Sequence, residues 1–134
     1  MPERSLSAGP GRVLLVVYVV FAISAGARAL YQIAVQFERA PEAYLLSAFA
    51  AAVYLVAAVA LGRGARRVAL VAVVVELVGV LGIGTLSLLR PEDFPDPTVW
   101  SGFGVGYGFV PVVLPILGLL WIRRTSPRER SSGL

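Results

Sequence analysis

Glu76 stands near the middle of an apolar run from Val68 to Leu89, a place where a helix in lipid would normally carry no ionisable group. A carboxyl there can hold a proton, accept a hydrogen bond from a hydroxyl or pair with a cation, and intramembrane ionisable groups are candidates for function for that reason. Few groups in the chain can meet it. Arg28 offers a cation, Tyr54 and Tyr107 offer hydroxyls, and Ser24 and Gln32 offer smaller polar groups. The chain has no lysine, histidine or cysteine, so it cannot by itself supply histidine-ligated haem, thiolate metal sites, imidazole acid-base catalysis or a Schiff base. Carboxylate, tyrosine, serine and arginine chemistry remains, without a paired-carboxylate or metal motif. The expectation is a protein that is not an enzyme and needs no cofactor.

Depth arithmetic orders the possible partners of Glu76. A helix rises about 1.5 Å per residue, so with one boundary near Val13, Leu61, Val68 and Ile122, Glu76 lies about 12 Å deep and Tyr54 about 10 Å. Ser24 lies about 16 Å deep, and Arg28 and Tyr107 about 22 Å. Tyr54 is the expected first partner. Arg28 is offset by about 10 Å and reaches Glu76 only by leaning inward, so a direct salt bridge and a water- or tyrosine-bridged network both stay open. The helix face around Glu76 holds Ala69, Ala72, Gly79 and Ile83, mostly small residues suited to packing on a neighbouring helix. On one reading the polar groups merely fix which helices pack together. On the other they form a proton- or substrate-responsive site.

The elements that must position these groups follow from composition. With 57% apolar and 15% charged residues, the chain exceeds the about 45–50% apolar and falls below the about 25% charged residues of soluble domains. The apolar residues fall into four blocks, at about 13–36, 43–61, 68–89 and 98–122. Each is about the 20 residues needed to cross a hydrocarbon layer. The fold expected is all-α, a four-transmembrane-helix bundle over 13–122 with an arm at 1–12 and a basic tail at 123–134. Nine of the twelve arginines lie in the arm, in the turn Gly62–Arg67 and in the tail. That bias puts both termini in the cytoplasm, and it marks the basic charge as a membrane-orientation signal and not a nucleic-acid footprint. The run Val13–Ile23 followed by Ala25, Gly26 and Ala27 also fits a cleavable signal peptide, although apolar residues continue beyond Ala27.

In the fourth block, Asp96 and Pro97 read as a helix N-cap and first-turn proline. Gly102 with Gly106 and Gly104 with Gly108 read as two small-xxx-small pairs on opposite faces of a closely packed helix. Pro111 and Pro115 would free the carbonyls of Tyr107 and Pro111, either in a simple kink or in a broken helix lining a cavity. Trp100 and Trp121 are spaced like residues at the two membrane interfaces. The stretches TVWSGFGVGYGFVPVVLPILGLLW and VELVGVLGIGTLSLL resemble a group of small four-helix integral membrane proteins of high-GC Gram-positive bacteria. That resemblance implies a multi-pass protein of the bacterial plasma membrane, and it implies no activity. The leading expectation is a non-enzymatic subunit that packs with itself or with a larger membrane complex. The alternative is a small proton-coupled transporter or channel using Glu76. Small multidrug exporters offer the analogy, but their essential carboxylate is in the first helix and not the third.

Overall fold

The computed structural model describes residues 9–124. Four helices follow one another: α1 Pro10–Gln36, α2 Pro41–Arg63, α3 Arg66–Leu89 and α4 Val110–Arg124. Short 3-10 turns occupy Phe37–Arg39, Pro91–Asp93 and the longer stretch Ser101–Tyr107. α1 packs on α2, α2 on α3, and α3 on both α4 and the Ser101–Tyr107 stretch, so the protein is an all-α bundle. α1, α2 and α3 are each long and apolar enough to cross a membrane. α1 begins at Pro10, inside the expected arm, and runs unbroken past Ala25–Ala27. The rest of the arm and nearly all of the expected tail lie outside the described residues.

Local chemistry sets the helix ends. Pro10 and Pro41 open α1 and α2, positions where the missing N–H would have had no partner. Gly64 ends α2 with φ 68°, and Ala65 N–H donates to the Ala60 carbonyl at 2.8 Å while Gly64 N–H donates to Leu61 at 3.3 Å. This is the Schellman arrangement, which calls for a residue tolerant of the left-handed region. α3 starts two residues later, and its Arg66 donates to the Ile122 carbonyl near the end of α4. The bundle therefore gathers Arg12, Arg63, Arg66, Arg67, Arg123 and Arg124 at one end. Five of the six described carboxylates, Glu38, Glu42, Glu92, Asp93 and Asp96, lie on the connections and helix starts at the other.

Small residues and aromatics face inward. Tyr18, Ala25, Ala50, Tyr54, Ala57, Ala69, Val73 and Val80 are fully buried, while branched apolar residues such as Val13, Ile23, Leu55, Val78 and Leu120 face out. In a small bundle this division lets helix backbones approach closely and leaves the bulkiest side chains on the perimeter.

The fourth block departs from a single straight helix. Ser101–Tyr107 and α4 meet at 101°, and five residues around the break lie in the left-handed region: Gly102 (φ 58°), Phe103 (60°), Gly104 (86°), Gly108 (61°) and Phe109 (64°). The paired-glycine packing faces are therefore corrected. Gly102, Gly104 and Gly108 serve the backbone, and Gly106 has nothing near its missing Cβ. Pro111 does not kink a helix, since it falls in the first turn of α4, where proline costs little. Asp96 caps no helix either. It accepts from the Tyr44 hydroxyl and lies 3.3 Å from Arg39 Nε, which ties the approach to the fourth segment onto the start of α2. Thr98 takes the capping role: its Oγ1 accepts from the N–H groups of Trp100 (3.1 Å) and Ser101 (3.0 Å), while Ser101 Oγ accepts from Thr98 N–H at 2.9 Å. That reciprocity is the logic of a capping box.

Two side chains from neighbouring helices secure this segment. Ser47 Oγ of α2 accepts from Val99 N–H at 3.1 Å, and Ser87 Oγ of α3 accepts from Gly102 N–H at 2.8 Å. Trp100 turns inward and is only 2% exposed, so it does not mark a membrane interface. Its ring lies over Gly79, where a Cβ would stand 2.5 Å from the indole.

Candidate functional site

Glu76 is fully buried on α3, and its first partner is Tyr18, whose hydroxyl donates to Glu76 Oε1 at 2.6 Å. The expected bond from Tyr54 is corrected, and of the two routes left open for Arg28 the direct pair is not formed, since its guanidinium lies over Tyr107. Tyr18 projects from the line Leu14, Tyr18, Ala22, Ala25 and Ala29, the buried stripe of α1. Ser24 and Arg28 fall outside that stripe and are exposed. Gly118 of α4 leaves room for the hydroxyl, since a Cβ there would meet Tyr18 Oη at 3.1 Å. The second carboxyl oxygen, Oε2, is buried without a hydrogen-bond partner among the described residues.

Tyr54 does different work. Its hydroxyl donates to the Pro111 carbonyl at 2.7 Å and accepts from Trp100 Nε1 at 3.0 Å. Pro115 has no N–H to give to the carbonyl four residues earlier, which is that of Pro111, so Tyr54 fills a vacancy created by proline within α4. The same hydroxyl holds the indole of Trp100 and links α2 to both sides of the break. Tyr54→Phe should leave the carbonyl and the indole N–H without this partner and cost about 1–3 kcal/mol. Thermal unfolding in detergent would measure the loss, and an unchanged midpoint would contradict the assignment.

Arg28 lies over the ring of Tyr107, with its guanidinium carbon 5.9 Å from the centroid. Together with Gln32, Ser47, Thr98 and Tyr107 it lines a cavity of about 30 Å³ toward the acid-bearing end, enough for about one water molecule. Gln32 is 7% exposed, whereas Ser24 contributes to neither cluster. Between Glu76 and Arg28 the contacts run through four rings: Tyr18 to Tyr54 at 6.0 Å, Tyr54 to Phe21 at 4.9 Å, and Phe21 to Tyr107 at 5.3 Å between centroids. The polar groups thus form two clusters, one around Glu76 and one around Arg28, joined by an aromatic stack.

Tyr18, Trp100, Ser47 and Thr98 belong to these clusters and were not among the expected site residues. A signal existed for Tyr18, because it shares helical spacing with Ala22, Ala25 and Ala29 and lies about 8 Å deep, within about 5 Å of Glu76. Trp100 gave no such signal, since its inward place depends on the Tyr54 hydroxyl and the open space over Gly79, which spacing along the chain does not bring together. Chemically, the arrangement offers one buried carboxyl with a single donor, able to hold or exchange a proton. Among the described residues no three or more acidic groups gather as they would around a metal ion. Comparison with models of known families, with characterised proteins and with solved structures finds no match for the chain.

Proposed function

We propose that this chain is a small multi-pass integral membrane protein acting as a structural or accessory subunit, packing with itself or with a larger membrane complex, with no catalytic role. The observation that carries the reading is the Tyr18–Glu76 bond. It joins α1 to α3 across the bundle interior, and aromatic rings, not a polar channel, connect it to the Arg28 cluster. A bonded polar pair in an apolar interior specifies which helices assemble. The long apolar helices and the outward valines and leucines suit lipid as the surrounding medium. The arginine asymmetry supports an orientation with both termini cytoplasmic, and the resemblance to small four-helix proteins of high-GC Gram-positive bacteria supports a bacterial plasma membrane.

A second reading, a small proton-coupled transporter or channel, draws on one observation: Glu76 Oε2 is buried without a partner among the described residues, so the carboxyl has capacity left for a proton or a substrate donor. Glu76→Gln separates the two, because glutamine retains an acceptor for Tyr18 but cannot exchange a proton. In proteoliposomes, the structural reading expects proton flux indistinguishable from wild type, with assembly on size-exclusion chromatography retained because glutamine still accepts from Tyr18. Intact assembly with loss of a pH-dependent flux would overturn it in favour of transport.

A further inference from the structure

Two apolar grooves run along the outside of the bundle, and an arginine stands on the rim of each. One, of about 610 Å³, lies between α2 and α3, lined by Ala52, Val53, Val56, Val68 and Val71 with Arg67 beside them. The other, of about 410 Å³, lies between α1 and α4, where Val13, Val17, Leu117 and Leu120 lead to Arg124. Both arginines belong to the same end of the bundle. At the opposite end the arginines are already engaged, Arg39 with Asp96 at 3.3 Å and Arg90 with Asp93 at 2.8 Å. At this end the described residues include no carboxylate, and Arg67 is exposed.

We propose that the α2–α3 groove seats an acyl chain of an anionic phospholipid whose phosphate pairs with Arg67. The inference rests on the membrane reading above and goes further by naming a ligand class. The groove has apolar walls and one cation at its end, which is the complement of a long apolar tail carrying an anionic head. Basic pockets between helices on the cytoplasmic side are a recurrent setting for such headgroups. Free phosphate would satisfy the arginine and leave the groove unfilled. A zwitterionic lipid would fill the groove and bring its own cation close to Arg67. A second copy in the same orientation would bring further arginines to this end, because the described residues hold no acid there to oppose them.

The test uses the full chain extracted from membranes in a neutral detergent, titrated with phosphatidylglycerol or phosphatidylcholine and read by native mass spectrometry. Phosphatidylglycerol should be retained in preference. Arg67→Gln should lower its affinity about fivefold, the equivalent of about 1 kcal/mol for one charge near the surface. Arg90→Gln, at the other end, should leave it unchanged. Val71→Trp, which fills the groove, should remove the tightly held lipid, and the surface variant Arg67→Gln carries the test should Val71→Trp not fold. Equal retention of the two lipids, full retention by Arg67→Gln, competition by inorganic phosphate alone, or a lipid-free dimer broken by Val71→Trp would each overturn the proposal. Protein recovered from membranes but without lipid preference would defeat this inference and leave the membrane reading standing, whereas protein recovered outside membranes would defeat both.

Discussion

Replacing Trp100 by alanine should cost about 3–5 kcal/mol of stability, the range for emptying a buried tryptophan site. The indole is 2% exposed, donates to Tyr54 Oη at 3.0 Å, and stacks edge-on with Phe49 at 6.3 Å. Its place is made by the absence of a side chain at Gly79, where a Cβ would stand 2.5–2.7 Å from three ring atoms. Gly79→Ala should therefore cost about 1–3 kcal/mol by overpacking. The combination is the sharper measurement. In Gly79→Ala/Trp100→Ala the new methyl falls into the vacated space, so the double variant should lose less than the sum of the singles. Simple additivity in thermal or denaturant unfolding would mean that the ring does not sit on Gly79.

Gly104→Ala should be the most damaging of the glycine substitutions in the fourth segment, at about 2–5 kcal/mol. Left-handed backbone costs a residue with a Cβ about 1–2 kcal/mol, and Gly104 has φ 86°. Its Cβ would also stand 2.7 Å from Pro111, which adds about 1–3 kcal/mol of overpacking. Gly106→Ala, two residues on, has ordinary backbone sign and open space, and should stay within about 0.5 kcal/mol of wild type. Were the segment a straight helix, both changes would favour it by about 1 kcal/mol through helix propensity. Unfolding midpoints that rise for both variants would return the segment to a continuous helix.

Gly104 also shows why the fourth segment was harder to read than the first three. α1, α2 and α3 declare themselves through uninterrupted apolar length, opening prolines and the Gly64 stop, and their observed limits lie within three residues of the expected ones. Glycines at 102, 104, 106 and 108 are ambiguous in sequence, because close helix packing and left-handed turns both call for a missing Cβ. Phe103 and Phe109, at φ 60° and 64°, decide the matter only in three dimensions, and nothing in a phenylalanine announces it. The site was legible in part for a similar reason. The apolar setting of Glu76 and the carbonyl of Pro111 left open by Pro115 follow from spacing alone, and both hold. Pairing does not, since depth assigns a layer and not a direction around each helix. Tyr54 and Tyr18 both lie near the layer of Glu76, and packing gave Tyr54 to Pro111 and Trp100 and gave Tyr18 to the carboxyl. Arg28 was excluded by its place on α1, one step off the buried stripe.

The Gly64 turn has a consequence for how the chain is made. Only Gly64 and Ala65 separate α2 from α3, so two helices of 23 and 24 residues emerge during synthesis as one closed hairpin. Arg63, Arg66 and Arg67 crowd its tip, and each would cost about 2.5–3.5 kcal/mol at the middle of the bilayer. Under the membrane reading, neither helix can change direction independently of the other, and the charged tip resists passage through the bilayer. The carboxyl of Glu76 thus enters lipid alongside α2, after α1 and before the bent fourth segment.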